Sequence, residues 1–72
     1  MLGEITKQLY IYTVTAPPDV LEYLENDVTR SFVNGLLYRA RRRGRERLTF
    51  RDNLYDVVYD SQFHYRITRV TE

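Results

Sequence analysis

Apolar residues recur along most of this chain at intervals of three and four. Ile5, Leu9 and Tyr12 fall at i, i+4 and i+7, which predicts a short first helix from about Glu4. Over Leu9 to Val14 the β-branched and aromatic content makes a strand the local competitor. Pro17 and Pro18 stop that pattern, because two successive prolines fit only a turn or the first turn of a helix. From Pro18 to Arg43 there is no further proline, and the single glycine is Gly35. Leu21, Leu24, Val28, Phe32 and Leu36 repeat there at helical spacing, and Val20, Tyr23, Val33, Leu37 and Ala40 widen the stripe to nearly half the circumference. The pattern predicts one long helix. Thr15 is its candidate cap, Asp19 and Glu22 oppose its positive pole, and Gly44 follows its arginine-rich end.

Beyond Gly44, Leu48-Thr49-Phe50 suits a short β-rung. Thr49 and Asp52 have capping-box spacing, which announces a third helix carrying Leu54, Tyr55, Val57 and Val58. Ser61 can cap a last helix with Phe63, Ile67 and Val70 on one face. A hairpin fits residues 54–72 equally well, since Phe63, Tyr65 and Ile67 alternate and Asp60-Ser61 supplies a turn. The expectation over residues 1–72 is therefore a single all-α domain: short helix, long helix, short helix and a possible C-terminal helix.

The length of the central helix bears on partners. About 26 residues at ~1.5 Å each span about 39 Å, whereas a compact chain of this size is about 29 Å across. With few residues left to cover a wide apolar face, a partner chain is expected. Leu21, Leu24, Val28, Phe32 and Leu36 are the expected dimer interface.

Composition narrows the chemistry. The 72 residues include no cysteine, no tryptophan and one histidine, so disulfides, thiol nucleophiles and Cys-ligated zinc are excluded. Hydrophobic content of 43% beside 29% charged residues is that of a globular chain, although the mean hydropathy is −0.52. No apolar run approaches the roughly 20 residues of a membrane span, and Met1-Leu2-Gly3-Glu4 resembles neither a signal peptide nor a myristoylation site. A net charge of +1 conceals an uneven distribution. Up to Asp27 the one base is Lys7 against Glu4, Asp19, Glu22, Glu25 and Asp27, whereas Arg39, Arg41, Arg42, Arg43, Arg45, Arg47 and Arg51 crowd together with Glu46 among them.

Order and motifs together resemble the histone fold. Arg45-Glu46-Arg47-Leu48-Thr49-Phe50-Arg51-Asp52 is similar to the second histone-fold loop, and the resemblance implies an intrachain ion pair between Arg45 and Asp52. Leu2 to Tyr12, Pro18 to Glu25, Arg42-Arg43-Gly44-Arg45, Phe50 to Tyr55, and Arg66-Ile67 after Asp60 resemble segments of the TFIID subunit thirteen family of TBP-associated factors. The family's longer Gly- and Asn-containing stretch between its first two helices is missing here, and Ser61 stands where it has a proline. The likeness implies a nuclear histone-fold subunit of TFIID. It would heterodimerise with a second histone-fold protein, by resemblance TFIID subunit eleven, and help assemble the RNA polymerase II preinitiation complex. The front histone fold of a SAGA coactivator subunit, a DNA-binding histone-like module and a small α+β homodimer are the alternatives.

No metal, cofactor or enzymatic chemistry is expected. His64 has no second histidine or cysteine with which to hold a metal, Ser31 and Ser61 have no histidine with an orienting partner, and no glycine-rich phosphate loop occurs. Arg41, Arg42 and Arg43 are the candidate contacts for an acidic partner or nucleic acid. Protein contact is expected to be their main role and DNA contact secondary, given the low net charge. The seven tyrosines exceed what so small a core can absorb, so some are expected at an interface.

Overall fold

The computed structural model describes residues 3–61 and 63–70. It contains strands β1 (Ile5–Leu9) and β2 (Tyr12–Ala16), helix α1 (Pro18–Glu22) running into a π-helical turn (Tyr23–Asp27), helix α2 (Arg30–Arg43), and strands β3 (Arg45–Phe50), β4 (Asn53–Ser61) and β5 (His64–Arg69). The strands form one sheet in the order β1-β2-β5-β4-β3. Three neighbouring pairs are antiparallel, and β2 runs parallel to β5. The helical segment is thus the crossover of a split β-α-β unit, with the β4–β5 hairpin returning into the gap.

The all-α histone fold is overturned, and the reasons are local. Ile5 and Leu9 are four apart, an even number, so they share one face of a strand as readily as one face of a helix. The two-residue turn Tyr10-Ile11 then places Tyr12 opposite Leu9, on that same face. The same ambiguity covers Phe63 and Ile67, and the hairpin reading of the C-terminal segment describes β4 and β5, although Asp60 and Ser61, its expected turn, lie in β4 and Phe63 precedes β5. Asp52 opens no helix. It shares with Arg51 the turn between β3 and β4, both at positive φ (62° and 51°), as a type I′ hairpin requires. Val70 lies beyond β5, and its N–H donates to the Leu54 carbonyl.

The long helix is broken. It does start at Pro18 and end before Gly44, whose φ of 82° gives the left-handed cap. Thr15, its expected cap, lies in β2 instead. Between the two ends Val28 is extended (φ −124°, ψ 163°), and the Thr29 hydroxyl accepts the Phe32 N–H at 3.0 Å as a new N-cap. The break lets both helical pieces turn their apolar sides to one sheet face. Val20, Leu21 and Leu24 from the first, and Val33, Leu36, Leu37 and Ala40 from the second, bury against Leu9, Val14, Ala16, Leu48, Phe50, Tyr55, Val57, Tyr65 and Ile67.

This core absorbs most of the expected dimer face. Leu21, Leu24 and Leu36 are buried within the chain, Val28 is half-buried, and Phe32 is 40% exposed. The length mismatch disappears as well. Helix α2 has 14 residues and is about 21 Å long, within a body of 29 × 25 × 19 Å. Of the alternatives open at the sequence, the small α+β domain describes this architecture.

A stability test separates the two readings of the apolar stripe. Phe32→Asp is expected to keep the chain folded, within about 1 kcal/mol of the parent, because an exposed side chain near a helix start tolerates a carboxylate. Leu36→Asp is expected to unfold it, since burying a charge outweighs a total stability of about 4–11 kcal/mol for this length. Urea melts of the purified chain followed by circular dichroism give both values. Equal loss in the two variants would return Phe32 to a buried interface.

Candidate nucleic-acid interface

The helices cover one sheet face. By register, the other face carries Thr6 and Gln8 of β1, Thr13 and Thr15 of β2, His64, Arg66 and Thr68 of β5, Leu54, Asp56 and Val58 of β4, and Arg45, Arg47 and Thr49 of β3. One row across the strands reads Thr6, Thr15, Arg66, Val58, Arg45. Arg45 and Arg66 are therefore two strand spacings apart, about 9.5 Å.

The strand directions decide what gathers at the ends of the sheet. Strands β2, β3 and β5 all start at one end, so the Tyr10-Ile11 turn, Phe63 before β5, and Gly44-Arg45 lie along the same rim. Helix α2 crosses the sheet above this rim. Near its start Arg30 stacks over the Tyr10 ring at 5.0 Å, and near its end Arg41 lies 5.9 Å over the Tyr59 ring. Tyr12, Tyr59, Tyr65 and Phe63 pack ring against ring beneath it, with centroids 5.4–6.4 Å apart. Burial raises the Tyr65 phenol above its ordinary pKa, with the neighbouring Tyr12 and Tyr59 adding to the effect and Arg41 opposing it. That ring stays neutral.

The arginines divide into two groups. Glu46, at the start of β3, receives Arg39 Nε at 2.6 Å and lies 3.9 Å from Arg43. The Arg39 hydrogen bond first, and the Arg47 backbone N–H second, hold its carboxyl below the usual value of 4.5. Arg47 Nε lies 2.6 Å from Asp56 Oδ1, off the line of its N–H, so the contact is an ion pair and leaves that oxygen without a hydrogen-bond donor. Arg39, Arg43 and Arg47 thus engage Glu46 and Asp56, and the third carboxylate at this end of the sheet, Asp60, faces His64. Arg30, Arg41, Arg42, Arg45 and Arg66 have no carboxylate partner among the described residues, and neither do Arg51 and Arg69 at the opposite end of the sheet, where Arg51 lies over Phe50 and Arg69 donates to Asn53 Oδ1. Arg42 lies over Tyr38, and these two with Arg39 and Arg43 line an open recess of about 430 Å³.

The sequence-derived sites fare unevenly. Arg41, Arg42 and Arg43 share the last turn of α2, but Arg43 faces Glu46 and the other two do not. Arg45 and Asp52 stand at opposite ends of β3, and no ion pair joins them among the described residues. The acidic residues Glu22, Glu25 and Asp27 lie on α1 and the π-helical turn, where Glu25 pairs with Lys7 at 2.5 Å. Arg45 belonged to the arginine cluster read from the sequence, whereas Arg30, Arg66, Tyr10 and Phe63 did not, because only the fold brings them to it.

His64 occupies a polar line on the open face. Its Nε2 is 3.4 Å from Thr15 Oγ1, which bonds Thr6 Oγ1 at 2.8 Å, and its Nδ1 is 3.6 Å from Asp60 Oδ2. Asp60 reaches it because the β4–β5 ladder shifts register between Tyr59 and Ser61. The Thr15 hydroxyl is buried and already shared with Thr6, so this line ties β1, β2 and the β4–β5 turn together. Among the described residues no group of three or more His, Cys, Asp or Glu side chains is placed to hold a metal ion. No family model, curated relative or solved structure matches this chain. The resemblance to histone-fold TBP-associated factors rested on a helix order that the structure replaces, and the assembly roles it implied lose that support.

The lowered Glu46 pKa has a pH consequence. A carboxyl depressed in the folded state contributes stability present above its unfolded value of 4.5 and lost as pH falls through the lower folded value. The difference in melting temperature between parent and Glu46→Gln is expected to be largest near pH 7, to shrink below pH 4.5, and to be smaller in high salt. A difference independent of pH would mean that the carboxylate charge contributes nothing to the folded state.

Proposed function

We propose that this protein binds nucleic acid through phosphate contacts made by Arg41, Arg42, Arg45 and Arg66. The supporting observation is the division of the arginines: the local carboxylates Glu46, Asp56 and Asp60 face Arg39, Arg43, Arg47 and His64, so Arg41, Arg42, Arg45 and Arg66 meet no counter-charge among the described residues. A net charge of +1 favours protein contact when it is averaged over the whole chain. It favours phosphate when the balance is local, since Asp19, Glu22, Glu25 and Asp27 lie on α1 and the π-helical turn and the rim's own Asp60 faces His64 at 3.6 Å. Guanidinium groups suit phosphate because their planar donor fork matches two oxygens at once. The open face, lined by threonines and arginines and uncovered by helix, gives a backbone room to lie along it.

The test is fluorescence anisotropy of labelled DNA and RNA oligonucleotides from 50 to 300 mM salt, a range chosen to expose counterion release. Binding is expected to weaken steeply with salt. Arg41→Ala, Arg42→Ala and Arg45→Ala are each expected to lower the log–log slope by about 1 while leaving the melting temperature in place. Absence of binding at the lowest salt, or slopes that none of the three variants moves, would sink the reading.

A further inference from the structure

Two turns on the basic rim hold aromatic residues in a backbone conformation that suits neither. Tyr10, between β1 and β2, has φ 58°, and Phe63, before β5, has φ 60°. Side chains with a Cβ avoid this left-handed region, and glycine or asparagine is the ordinary occupant of such turns. Bulky aromatics there are a strained choice. Burial does not explain the choice, because Tyr10 is 37% and Phe63 41% exposed, and Ile11 beside Tyr10 is 57% exposed.

The surroundings say what these rings face. Because β2 and β5 are parallel neighbours, the two turns sit side by side, and the Thr13 N–H donates to the Phe63 carbonyl at 2.7 Å. Tyr12 supports Phe63 from behind at 6.4 Å between centroids. Cations flank the pair, Arg30 over Tyr10 and Arg41 over Tyr59. Partly exposed rings, Tyr10 backed by Arg30 and Phe63 by Tyr12, set beside arginines with no carboxylate partner among the described residues match a ligand that alternates flat apolar groups with anionic links.

We infer that Tyr10 and Phe63 form a stacking platform for unpaired bases, so that the nucleic acid taken by this rim is single-stranded. This rests on the nucleic-acid reading above and makes it specific. Duplex offers the arginines phosphates but keeps its bases stacked inside, whereas a single strand offers both, and base-on-aromatic stacking tolerates any sequence.

Glycine is the natural probe, since it accepts φ near +60° without strain and so removes the ring while sparing the turn. Tyr10→Gly, Phe63→Gly and the double variant are expected to melt within a few degrees of the parent. Tyr10→Asn and Phe63→Asn serve where glycine loosens a turn. Affinity for a labelled 15-nucleotide thymidylate oligomer is expected to fall about tenfold for each ring removed. Affinity for a 15-base-pair duplex at the same salt is expected to change less than about twofold, because the phosphate contacts remain. If the variants weaken neither ligand, or both equally, the stacking platform is wrong while phosphate binding stands. If the parent binds neither oligomer nor duplex, both readings fall. Vesicles containing phosphatidylserine complete the set: binding to them that depends on Tyr10 and Phe63, without binding to oligomer, would assign the tips to a membrane surface and overturn the proposal.

Discussion

The helical layer turns a corner at Val28-Thr29, and the rest of the molecule depends on it. One extended residue and one hydroxyl cap divide the apolar stripe into two pieces short enough to lie on a five-stranded sheet. Without the corner, a rod of that length would overhang the sheet and leave its greasy flank in water. With it, Leu21, Leu24, Leu36 and Leu37 all fall to 1% exposure or less inside a single chain of 72 residues. A two-layer sandwich is then the economical arrangement, because one helical layer covers one sheet face and leaves the other free for polar side chains.

That free face and the rim beside it acquire their character from topology. Inserting the β4–β5 hairpin between β2 and β3 makes three strands parallel in direction and places three chain segments of different origin at one end. The crossing of α2 above this end then delivers Arg30 and Arg41 to opposite parts of it. Apart from Arg41 and Gly44-Arg45, these neighbours are far apart in sequence. The charge separation follows from the same layout: α1 and the π-helical turn carry Asp19, Glu22, Glu25 and Asp27, and the arginines collect where α2 stops, next to the edge strand β3.

How much of this was legible can be argued residue by residue. The limits of the helical segment were, because Pro18 and Gly44 act through local backbone geometry that no packing overrides. The identity of the strands was not, because a spacing of four serves both periods and Ile5/Leu9 and Phe63/Ile67 offer little else. Alternation of Phe63, Tyr65 and Ile67 held the correct signal, and Thr6, Thr13, Val14 and Thr15 held another in their β-branching. The break at Thr29 was readable in principle: a threonine three residues before Phe32, following a β-branched valine, is a cap signal that an otherwise continuous apolar repeat concealed. Arg41 and Arg42 were legible as a basic cluster. Their separation from Arg39, Arg43 and Arg47 was not, since it depends on which guanidiniums the fold brings to Glu46 and Asp56.

The turns differ in the residues they use. Hairpin tips are where a chain most readily accepts glycine, asparagine or aspartate, and the β3–β4 tip follows that rule in part, with Asp52 at φ 62°. Tyr10 and Phe63 depart from it on the two tips that share the arginine-lined rim, whereas the tip that keeps aspartate is at the opposite end. Strain of this kind is of order 1–3 kcal/mol per residue, a sizeable part of what holds so small a domain together. If hairpin formation alone governed these positions, all three tips would use the same residue types. Arg51 in the β3–β4 tip also lacks a carboxylate partner among the described residues, so what sets the other two tips apart is the rings themselves, with the Arg30 and Arg41 guanidiniums lying over Tyr10 and Tyr59 beside them. Exposed rings and uncompensated cations on one rim are therefore two parts of one surface, and the ligand that uses one is expected to use the other.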